Sequence, residues 1–400
     1  MRGWKNAAIV PSYRKMTYLG KVEIRTEKFC LRNALLLILL GLHLPLGAQL
    51  LPTSMVDPDA TKATQSLYEN LRALAPEKTL FGHQDAFAYG VEWKHWHRRR
   101  SDVQDVCGQH PAVFGWDVSK LGQRPYNIDT VDFRAMQGWI RQAYRMGGIN
   151  TISWHLDNFL GGDSWTTGTP TVAAILPGGT HHEQYRAKLD LFADFLRELK
   201  VGFPVQRPVP IIFRPFHEHT GNWFWWGKPH ATAEQYKALW RFTVSYLRDE
   251  QQIHQLLYCY SPDVVKNEEE YLEYYPGDEY VDILGLDDYH DVGRWGRAKQ
   301  LTKRLSMLVQ LAEERGKVAA LTETGYEAVP ERKWWTDTLL RHLEASPEAR
   351  RIAWVLLWRN ARKDHHYGPY PGHPSAENFR EFAGSENMLF LDELPNMYRR

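Results

Sequence analysis

The 400-residue sequence predicts an α/β fold, a (β/α)8 barrel of the TIM type formed by a single domain. Three observations support this prediction. Eight short apolar segments recur along the chain, helix-like segments separate them, and no low-complexity linker interrupts residues 50–400. Parallel strands that are covered on both faces have such unbroken apolar runs, and barrels of this kind often form a single large domain.

The predicted strands are short and show little alternation of polar and apolar residues. They are Thr79–His83, Ala112–Trp116, Ile149–His155, Ile211–Phe216, Leu256–Ser261, Val281–Asp287, Val318–Glu323 and Ile352–Trp358. A doubly wound parallel sheet is the alternative arrangement. It normally has a glycine-rich phosphate loop after its first strand, and the stretch FGHQDAFAYG at 81–90 does not have that form.

The segments between these strands have apolar residues at three-to-four spacing, which is typical of one helix face. Such segments are Asp129–Met146, Glu183–Lys200, Thr232–Arg248, Arg297–Arg315 and Glu331–Leu343. Asp129 and Thr232 are of the residue types that cap helix N-termini. We therefore expect these two residues to mark the start of their helices.

The composition limits the classes of partner. Lys and Arg number 49 and Asp and Glu 48, so the formal net charge is +1, without the basic surplus that is typical of nucleic-acid binding. The 16 Trp residues are unusually many. Tryptophan packs in cores, but its flat face also binds weakly polar ligands such as sugars. A neutral polysaccharide or oligosaccharide is therefore a candidate ligand, and we expect no nucleic-acid partner.

The N-terminal region predicts export. The apolar segment at 34–46 follows basic residues and precedes small ones, so residues 1–48 resemble a signal peptide with an uncertain cleavage point, followed by a catalytic domain over 49–400. The segment is shorter than the ~20 residues of a membrane helix. A buried core helix or a short anchor is the alternative. We expect a secreted or periplasmic location and no stable membrane span.

Two cysteines, Cys107 and Cys259, lie outside the predicted signal peptide. They show neither the spacing of metal ligands nor a disulfide framework, so we expect two buried free thiols. The stretch His217-Glu218-His219 also differs from the zinc-binding pattern His-Glu-x-x-His in its spacing. We therefore predict neither a metal nor a cofactor.

Polar and aromatic residues follow almost every predicted strand, where a core would have aliphatic ones. In a barrel these strand ends meet on one face, and active sites are built there. The residues are His83-Gln84-Asp85, Trp116-Asp117, Trp154-His155, His217-Glu218-His219, Asp287-Asp288-Tyr289, Glu323 and Trp358-Arg359-Asn360. They predict a polar cleft with an aromatic rim.

Glu218 and Glu323 follow the fourth and seventh strands, on roughly opposite sides of the predicted barrel mouth. Two carboxyl groups on either side of a bond are what glycoside hydrolysis requires, with one protonated and the other ionised. A non-catalytic carbohydrate-binding barrel is the alternative from another class of protein. It has no need of this carboxyl pair.

The tryptophans divide into two predicted sets. Trp225 and Trp226 lie beside Trp223 after the fourth strand, and we expect one or two of the three to pack the loop and at least one to bind sugar. The set expected around the cleft is Trp116, Trp154, Trp165, Trp223 and Trp358. Trp139 and Trp240 lie in predicted helices and are expected in the core.

At these residues the sequence resembles glycoside hydrolase family 26, which consists mainly of β-mannanases. The matching stretches are LFGHQ at 80–84, VFGWD at 113–117, ISWH at 152–155, FRPFHEHTGNWFWWG at 213–227, DILGLDDYH at 282–290, LTETG at 321–325 and WVLLWRN at 354–360. The resemblance implies a (β/α)8 barrel and a retaining mechanism, in which the two carboxyl groups lie ~5–5.5 Å apart.

The resemblance also implies a role for each matching residue. Glu218 looks like the acid/base and Glu323 like the nucleophile, with His217 as the partner that orients the nucleophile side. The remaining implied substrate-binding residues are the strand-six pair Asp287 and Tyr289, the sugar contacts His155, Trp165 and Trp223, the platform Trp358 on the non-reducing side, and Arg359 beside that platform.

The implied activity is cleavage of β-1,4-linked mannan, galactomannan or glucomannan, and cutting within the chain is favoured. A mannobiose-releasing exo-mannanase, a β-1,3-xylanase and a mixed-linkage glucanase are the enzymatic alternatives. We expect the protein to be a monomer.

Overall fold

Eight parallel strands close into a barrel in the computed structural model, which describes residues 55–94, 99–293 and 296–399. They are β1 Thr79–Gln84, β2 Val113–Asp117, β3 Ile149–Ser153, β4 Ile211–Arg214, β5 Leu256–Tyr260, β6 Ile283–Asp288, β7 Val318–Thr324 and β8 Trp354–Leu357. Each strand pairs with the next, and β8 pairs with β1, where Leu80 lies opposite Trp354. The (β/α)8 prediction and the eight predicted strands are therefore confirmed.

Helices surround the barrel. They are α1 Lys62–Leu74, α2 Asp102–Cys107, α3 Phe133–Arg145, α4 Thr171–Ile175, α5 His182–Arg197, α6 Ala233–Ser245, α7 Glu268–Glu273, α8 Ala298–Glu314, α9 Arg341–Leu343 and α10 Ala376–Ala383. The π-helical segments are Tyr246–Glu250, which continues α6, and Trp334–Leu340, which precedes α9. The 3-10 helical turns are Asp278–Tyr280, Ala349–Arg351 and Leu391–Glu393.

Short strands add two hairpins and one edge pairing. Tyr89–Gly90 pairs with Trp93–Lys94, and Lys200–Val201 pairs with Arg207–Pro208. Met388–Leu389 lies parallel to the start of β1. All of the described residues belong to one compact unit, Leu50–Arg400. The predicted signal peptide at 1–48 lies outside the described residues.

Local sequence determines where the helices begin. Thr232 caps α6 in a capping box, in which Thr232 accepts from the Gln235 backbone and Gln235 accepts from the Thr232 backbone, as the sequence predicts. The prediction for Asp129 is wrong. The cap of α3 is Asp132, whose side chain accepts from the Ala135 backbone at 2.9 Å. Asp129 lies in the preceding loop and pairs with Arg359 instead.

The core has an inner and an outer layer because successive strand residues point to opposite faces. On β1, Leu80 belongs to the inner cluster and Phe81 to the outer one. The inner cluster also contains Leu67 and Leu71 of α1, so this helix packs against the inner residues of the barrel. Burying one such leucine contributes about 1.5–3 kcal/mol. Because α1 packs at one end of the barrel, the polar residues lie at the opposite end, where the C-termini of the strands meet.

Two of the tryptophans expected at the cleft are packing residues instead. Trp116 is buried, stacks on Trp139 and donates to Asn150 Oδ1. Trp154 is buried against Phe192. Both lie at strand ends but on the face that is turned toward the helices, because side-chain direction alternates along a strand. Trp139 and Trp240 are buried, as the sequence predicts.

Cys107 and Cys259 are both free thiols. Cys259 is buried in the inner cluster, whereas Cys107 is only half-buried. The prediction that they do not pair is therefore confirmed, and the prediction that both are buried holds for Cys259 alone. Within the described ranges, no helix is both long and apolar enough to cross a membrane.

Candidate active site

A cavity of about 570 Å³ opens at the C-terminal ends of the strands. Its lining residues are His155, Trp165, His217, Glu218, Trp223, Phe224, Tyr289, His290, Gly293, Glu323, Gly325, Tyr326, Glu327, Trp358 and Tyr367. Eight of the ten predicted site residues are among them. The exceptions are Asp287 and Arg359.

Glu323 is held by a cation and a hydroxyl. The Arg214 guanidinium donates to Glu323 Oε1, and the Tyr289 hydroxyl donates to Glu323 Oε2 at 3.0 Å. Arg214 also donates to Asp287 Oδ2 at 2.7 Å, so it bridges two carboxylates on neighbouring strands. These two contacts fix the position of the Glu323 side chain and set it beside the positive charge of Arg214.

A register shift between β6 and β7 positions this carboxylate. Leu286 lies opposite Leu321, but the next residue, Asp287, lies opposite Glu323, so β7 contains one extra residue, Thr322. The Thr322 hydroxyl donates to Asp287 Oδ1 at 2.7 Å. Bulges of this kind re-aim side chains beside active sites. Here the bulge sets Asp287 and Glu323 on either side of one guanidinium.

Glu218 lies on a strained backbone after β4. Its φ is 54° and that of Phe216 is 49°, in the left-handed region that residues other than glycine rarely adopt. Each such residue costs about 1–3 kcal/mol and persists only where the surroundings hold it. The Glu218 N–H donates to the Ser261 carbonyl at 2.8 Å, which ties this turn to the loop after β5.

The surroundings of Glu218 favour its protonated form. Burial raises the pKa of Glu218 well above its ordinary value, and the negative charge of Glu323 raises that pKa further. The Trp223 indole donates to Glu218 Oε2 at 2.6 Å, which lowers the pKa without cancelling the rise. The cavity therefore holds two carboxyl groups, one of which, Glu218, has surroundings that favour its protonated form, as acid-assisted displacement requires.

Aromatic rings form one wall of the cavity. Trp165 is 47% exposed and stacks on His155 with ring centres 5.3 Å apart. Trp358 meets His155 edge-on at 6.1 Å. His155 Nδ1 lies 2.8 Å from Asp117 Oδ2. Burial lowers the pKa of His155, but the Asp117 carboxylate outweighs burial and leaves that pKa raised. The wall offers flat apolar faces to a ligand.

The resemblance implies that His217 orients the nucleophile side of the site. It lines the cavity and packs edge-on against His155 at 4.7 Å, and among the described residues its Nδ1 has no hydrogen-bond partner. Burial lowers the pKa of His217 well below its ordinary value, and the Arg214 charge adds to this, so its ring is neutral. The described contacts with Glu323 are made by Arg214 and Tyr289.

Asp287 and Arg359, which the resemblance implies as substrate-binding residues, do not line the cavity. Asp287 is buried and bound to Arg214, Thr322 and Ser261, so it supports the site from behind. Arg359 pairs with Asp129 at 2.9 Å and donates to the Tyr89 hydroxyl at 3.3 Å. Both side chains are engaged by protein groups.

The three tryptophans after β4 divide as the sequence suggests. Trp225 and Trp226 are buried, and their indoles donate to the backbone carbonyls of Leu156 and His217, each at 2.8 Å. Trp223 is half-buried and lines the cavity. The first two hold the loop in place, and the third faces the ligand space.

Sequence reasoning missed Arg214 and Tyr367. Arg214 had a usable signal, because it is a charged residue at the end of an otherwise apolar strand. Tyr367 comes from the long loop after β8, packs edge-on against Tyr289 at 5.7 Å and lies over Gly325, where a Cβ would approach it to 2.7 Å. Within the described part of the chain, no group of three or more His, Cys, Asp or Glu side chains is placed to hold a metal.

Comparisons with known proteins agree with this geometry. The family model described as "Glycosyl hydrolase family 26" matches residues 56–338. A mannan endo-1,4-beta-mannosidase of Bifidobacterium adolescentis is 36% identical over 282 residues, which are 67% of this chain and 27% of that protein. Another, from Bacillus subtilis strain 168, is 35% identical over 198 residues, which are 47% of this chain and 52% of that protein.

A solved structure matches over nearly its full length. The GH26 beta-mannanase BoMan26A of Bacteroides ovatus has 41% identity and a TM-score of 0.80, and the match covers 85% of this chain and 98% of that one. In contrast, the chain spans only about a quarter to a half of the length of the two curated relatives.

Proposed function

Because this chain belongs to glycosyl hydrolase family 26, we propose that it is an endo-acting β-1,4-mannanase with a retaining double-displacement mechanism. Its substrates are mannan, galactomannan or glucomannan. The observation that carries the proposal is the pair Glu218 and Glu323, which line one cavity, Glu218 with a raised pKa and Glu323 beside the Arg214 guanidinium. The names of the similar proteins support the choice of mannan and of cleavage within the chain.

The first step forms a covalent intermediate. The Glu323 carboxylate attacks the anomeric carbon while the bond from that carbon to the glycosidic oxygen breaks. Glu218 gives its proton to the departing oxygen, so the leaving sugar is released as a neutral alcohol. In the second step Glu218 takes a proton from water, the water oxygen attacks the anomeric carbon, and Glu323 is freed.

The structure supplies a reason for the change in the role of Glu218. The negative charge of Glu323 is one of the causes that raise the pKa of Glu218. Once Glu323 is bonded to the sugar it is neutral, and that contribution disappears. The pKa of Glu218 then falls and the residue becomes the base that the second step needs.

The walls of the cavity suit a neutral polysaccharide. Trp165, Trp223 and Trp358 line it, and such rings bind the C–H faces of sugars through apolar contact. The net charge of +1 provides no strong electrostatic steering, and a neutral chain needs none.

Release of reducing ends from a panel of polysaccharides tests the proposal. The panel contains linear mannan, galactomannan, glucomannan, β-1,3-xylan and barley β-glucan, with Glu323→Gln as the inactive control. We expect activity on the three mannans, a rapid fall in their viscosity, and β-anomers as the first products by NMR. Preference for xylan or barley glucan would overturn the substrate, mannobiose as the sole early product would overturn endo action, and initial α-anomers would overturn retention.

We also propose that residues 1–48 direct export, so that the mature enzyme is secreted or periplasmic, and that it acts as a monomer. The basic and apolar pattern of residues 25–48 supports the first part. N-terminal sequencing of the protein from the medium or periplasm tests it, and a cytoplasmic protein that keeps residues 1–48 contradicts it. Light scattering gives the molar mass of the purified protein in solution and so tests whether it is a monomer.

A further inference from the structure

A histidine–aspartate pair that the two displacement steps do not use lies at one side of the cavity. His290 lines the cavity, and its Nε2 lies 3.5 Å from Asp263 Oδ2. The His290 side chain is 45% exposed and that of Asp263 only 9%. The carboxylate is thus covered by protein, whereas the imidazole beside it is accessible to a ligand.

The pair is tied to the turn that carries the acid. The Thr220 hydroxyl donates to the Asp263 carbonyl at 3.1 Å, and the Glu218 N–H donates to the Ser261 carbonyl. Both acceptors lie in the loop after β5. The negative charge of Asp263 is also among the causes that raise the pKa of Glu218. Glu218 and Asp263 are therefore fixed relative to each other.

The order of strands divides the cavity into two sides. Between β4, which leads to Glu218, and β7, which carries Glu323, lie β5 and β6 on one side and the remaining four strands on the other. The aromatic wall of His155, Trp165 and Trp358 follows β3 and β8, on the side of the four strands. The acid protonates the oxygen of the leaving sugar, and its turn is bonded to the loop after β5. The leaving sugar therefore belongs on the side of β5 and β6, where His290 lies.

We propose that His290, oriented by Asp263, donates a hydrogen bond to a hydroxyl of the leaving sugar and so determines specificity on that side of the cleaved bond. This inference rests on the proposed glycoside hydrolysis, and the ligand class is a neutral hexose unit of an oligosaccharide. The interaction with Asp263 raises the pKa of His290, which favours the imidazolium form. In that form both ring nitrogens donate, and charged donors make the stronger hydrogen bonds.

Two substrates with different leaving groups test the role of His290. Cleavage of mannopentaose releases a sugar as the leaving group. Cleavage of 2,4-dinitrophenyl β-mannobioside releases a dinitrophenolate, which has no sugar hydroxyls. For His290→Ala we expect kcat/KM to fall roughly 10–100-fold on mannopentaose and to stay within about twofold on the aryl glycoside. Asp263→Asn should show the same pattern to a smaller extent, and His290→Gln, which keeps a donor, should restore part of the loss.

The control is His181→Ala, which removes an imidazole that contacts Thr180 outside the cavity and should change neither value. An equal fall on both substrates, or no fall on mannopentaose, would contradict the role of His290. The two proposals fail separately. If the wild-type enzyme cleaves another oligosaccharide instead of mannopentaose, the mannanase proposal is wrong, and the same comparison on that oligosaccharide and its aryl glycoside still tests His290.

Discussion

Glu218 and Glu323 are the same residue type and line the same cavity, yet their surroundings differ. Glu323 accepts from a guanidinium and a phenol, whereas the described hydrogen bond to the Glu218 carboxyl comes from one neutral indole. Burial is the largest cause of the raised pKa of Glu218, and the negative charge of Glu323 adds to it. The neighbours of Glu218, and not its residue type, therefore favour its protonated form.

The two regions also differ in how the backbone presents the side chain. Glu323 lies in β7, where a bulge re-aims it within a hydrogen-bonded sheet. Glu218 lies beyond the end of β4 with a left-handed φ. Glu323 is thus fixed by the barrel itself, whereas Glu218 depends on its loop and on Trp223, Trp225 and Trp226. Four substitutions test this difference.

Glu323→Gln should have the largest effect. It keeps the size of the side chain but removes the nucleophile and the charge that Arg214 balances, so we expect kcat on mannan to fall by at least about 10⁴-fold. Glu331→Gln, an exposed glutamate that does not line the cavity, is the matched control and should be fully active. Substantial activity in Glu323→Gln with an unchanged fold is incompatible with its role as nucleophile.

Glu218→Gln should lower kcat/KM on mannan by about 10²–10⁴-fold, because general acid assistance is lost. With a 2,4-dinitrophenyl leaving group, which needs no proton, the first step should be nearly unaffected. Azide should then restore turnover by attacking the intermediate, and the product should be the β-mannosyl azide. A loss that is equal for poor and good leaving groups, without rescue by azide, shows that Glu218 is not the acid.

Arg214→Lys should lower kcat by roughly 10–100-fold, the equivalent of one lost charge-assisted hydrogen bond. Lysine keeps the charge but carries all of its N–H donors on one nitrogen, whereas Arg214 reaches Asp287 and Glu323 from two separate nitrogens of its rigid guanidinium. KM should change less than kcat, since Arg214 does not line the cavity. The measurement is the steady-state kinetics of purified variants, and an unchanged kcat would show that the bridge is dispensable.

Trp223→Phe should have the smallest effect and should appear in the pH profile. The indole N–H stabilises the ionised form of Glu218, so its removal raises the pKa of Glu218. The first step needs protonated Glu218, and the alkaline limb of kcat/KM should therefore move to higher pH by less than about one unit. Tyr289→Phe, which removes the donor to Glu323 instead, should not move that limb upward. A shift of the alkaline limb of kcat/KM to lower pH in Trp223→Phe would contradict this prediction.

The barrel was predictable because its signals are local. Each strand is a short apolar run, and Thr232 with Gln235 marks a helix start within four residues. Asp129 failed as a start signal since two aspartates lie within four positions, and only the fold shows that Asp132 caps α3 while Asp129 pairs with Arg359.

The placement of Glu218 and Glu323 in one cavity could be predicted from strand order, but the charged neighbours of these residues could not. Arg214 joins β4 to β6 and β7 through contacts over 73 and 109 positions of sequence, which no local pattern reveals. Trp116 and Trp154 were assigned to the cleft from their strand-end positions, yet they point outward into the core. The resemblance to the family indicates which residues belong to the candidate site. The structure shows which of those residues are in contact with one another.

The most direct test of the account is a titration of the carboxyl carbons by NMR, with ¹³C-labelled glutamate in the wild-type enzyme and in Glu218→Gln and Glu323→Gln. The account predicts one glutamate signal with a pKa well above its ordinary value, which is absent in Glu218→Gln and shifted to a lower pKa in Glu323→Gln. If that signal disappears in Glu323→Gln and persists in Glu218→Gln, the two carboxyls have the opposite roles and the account is wrong.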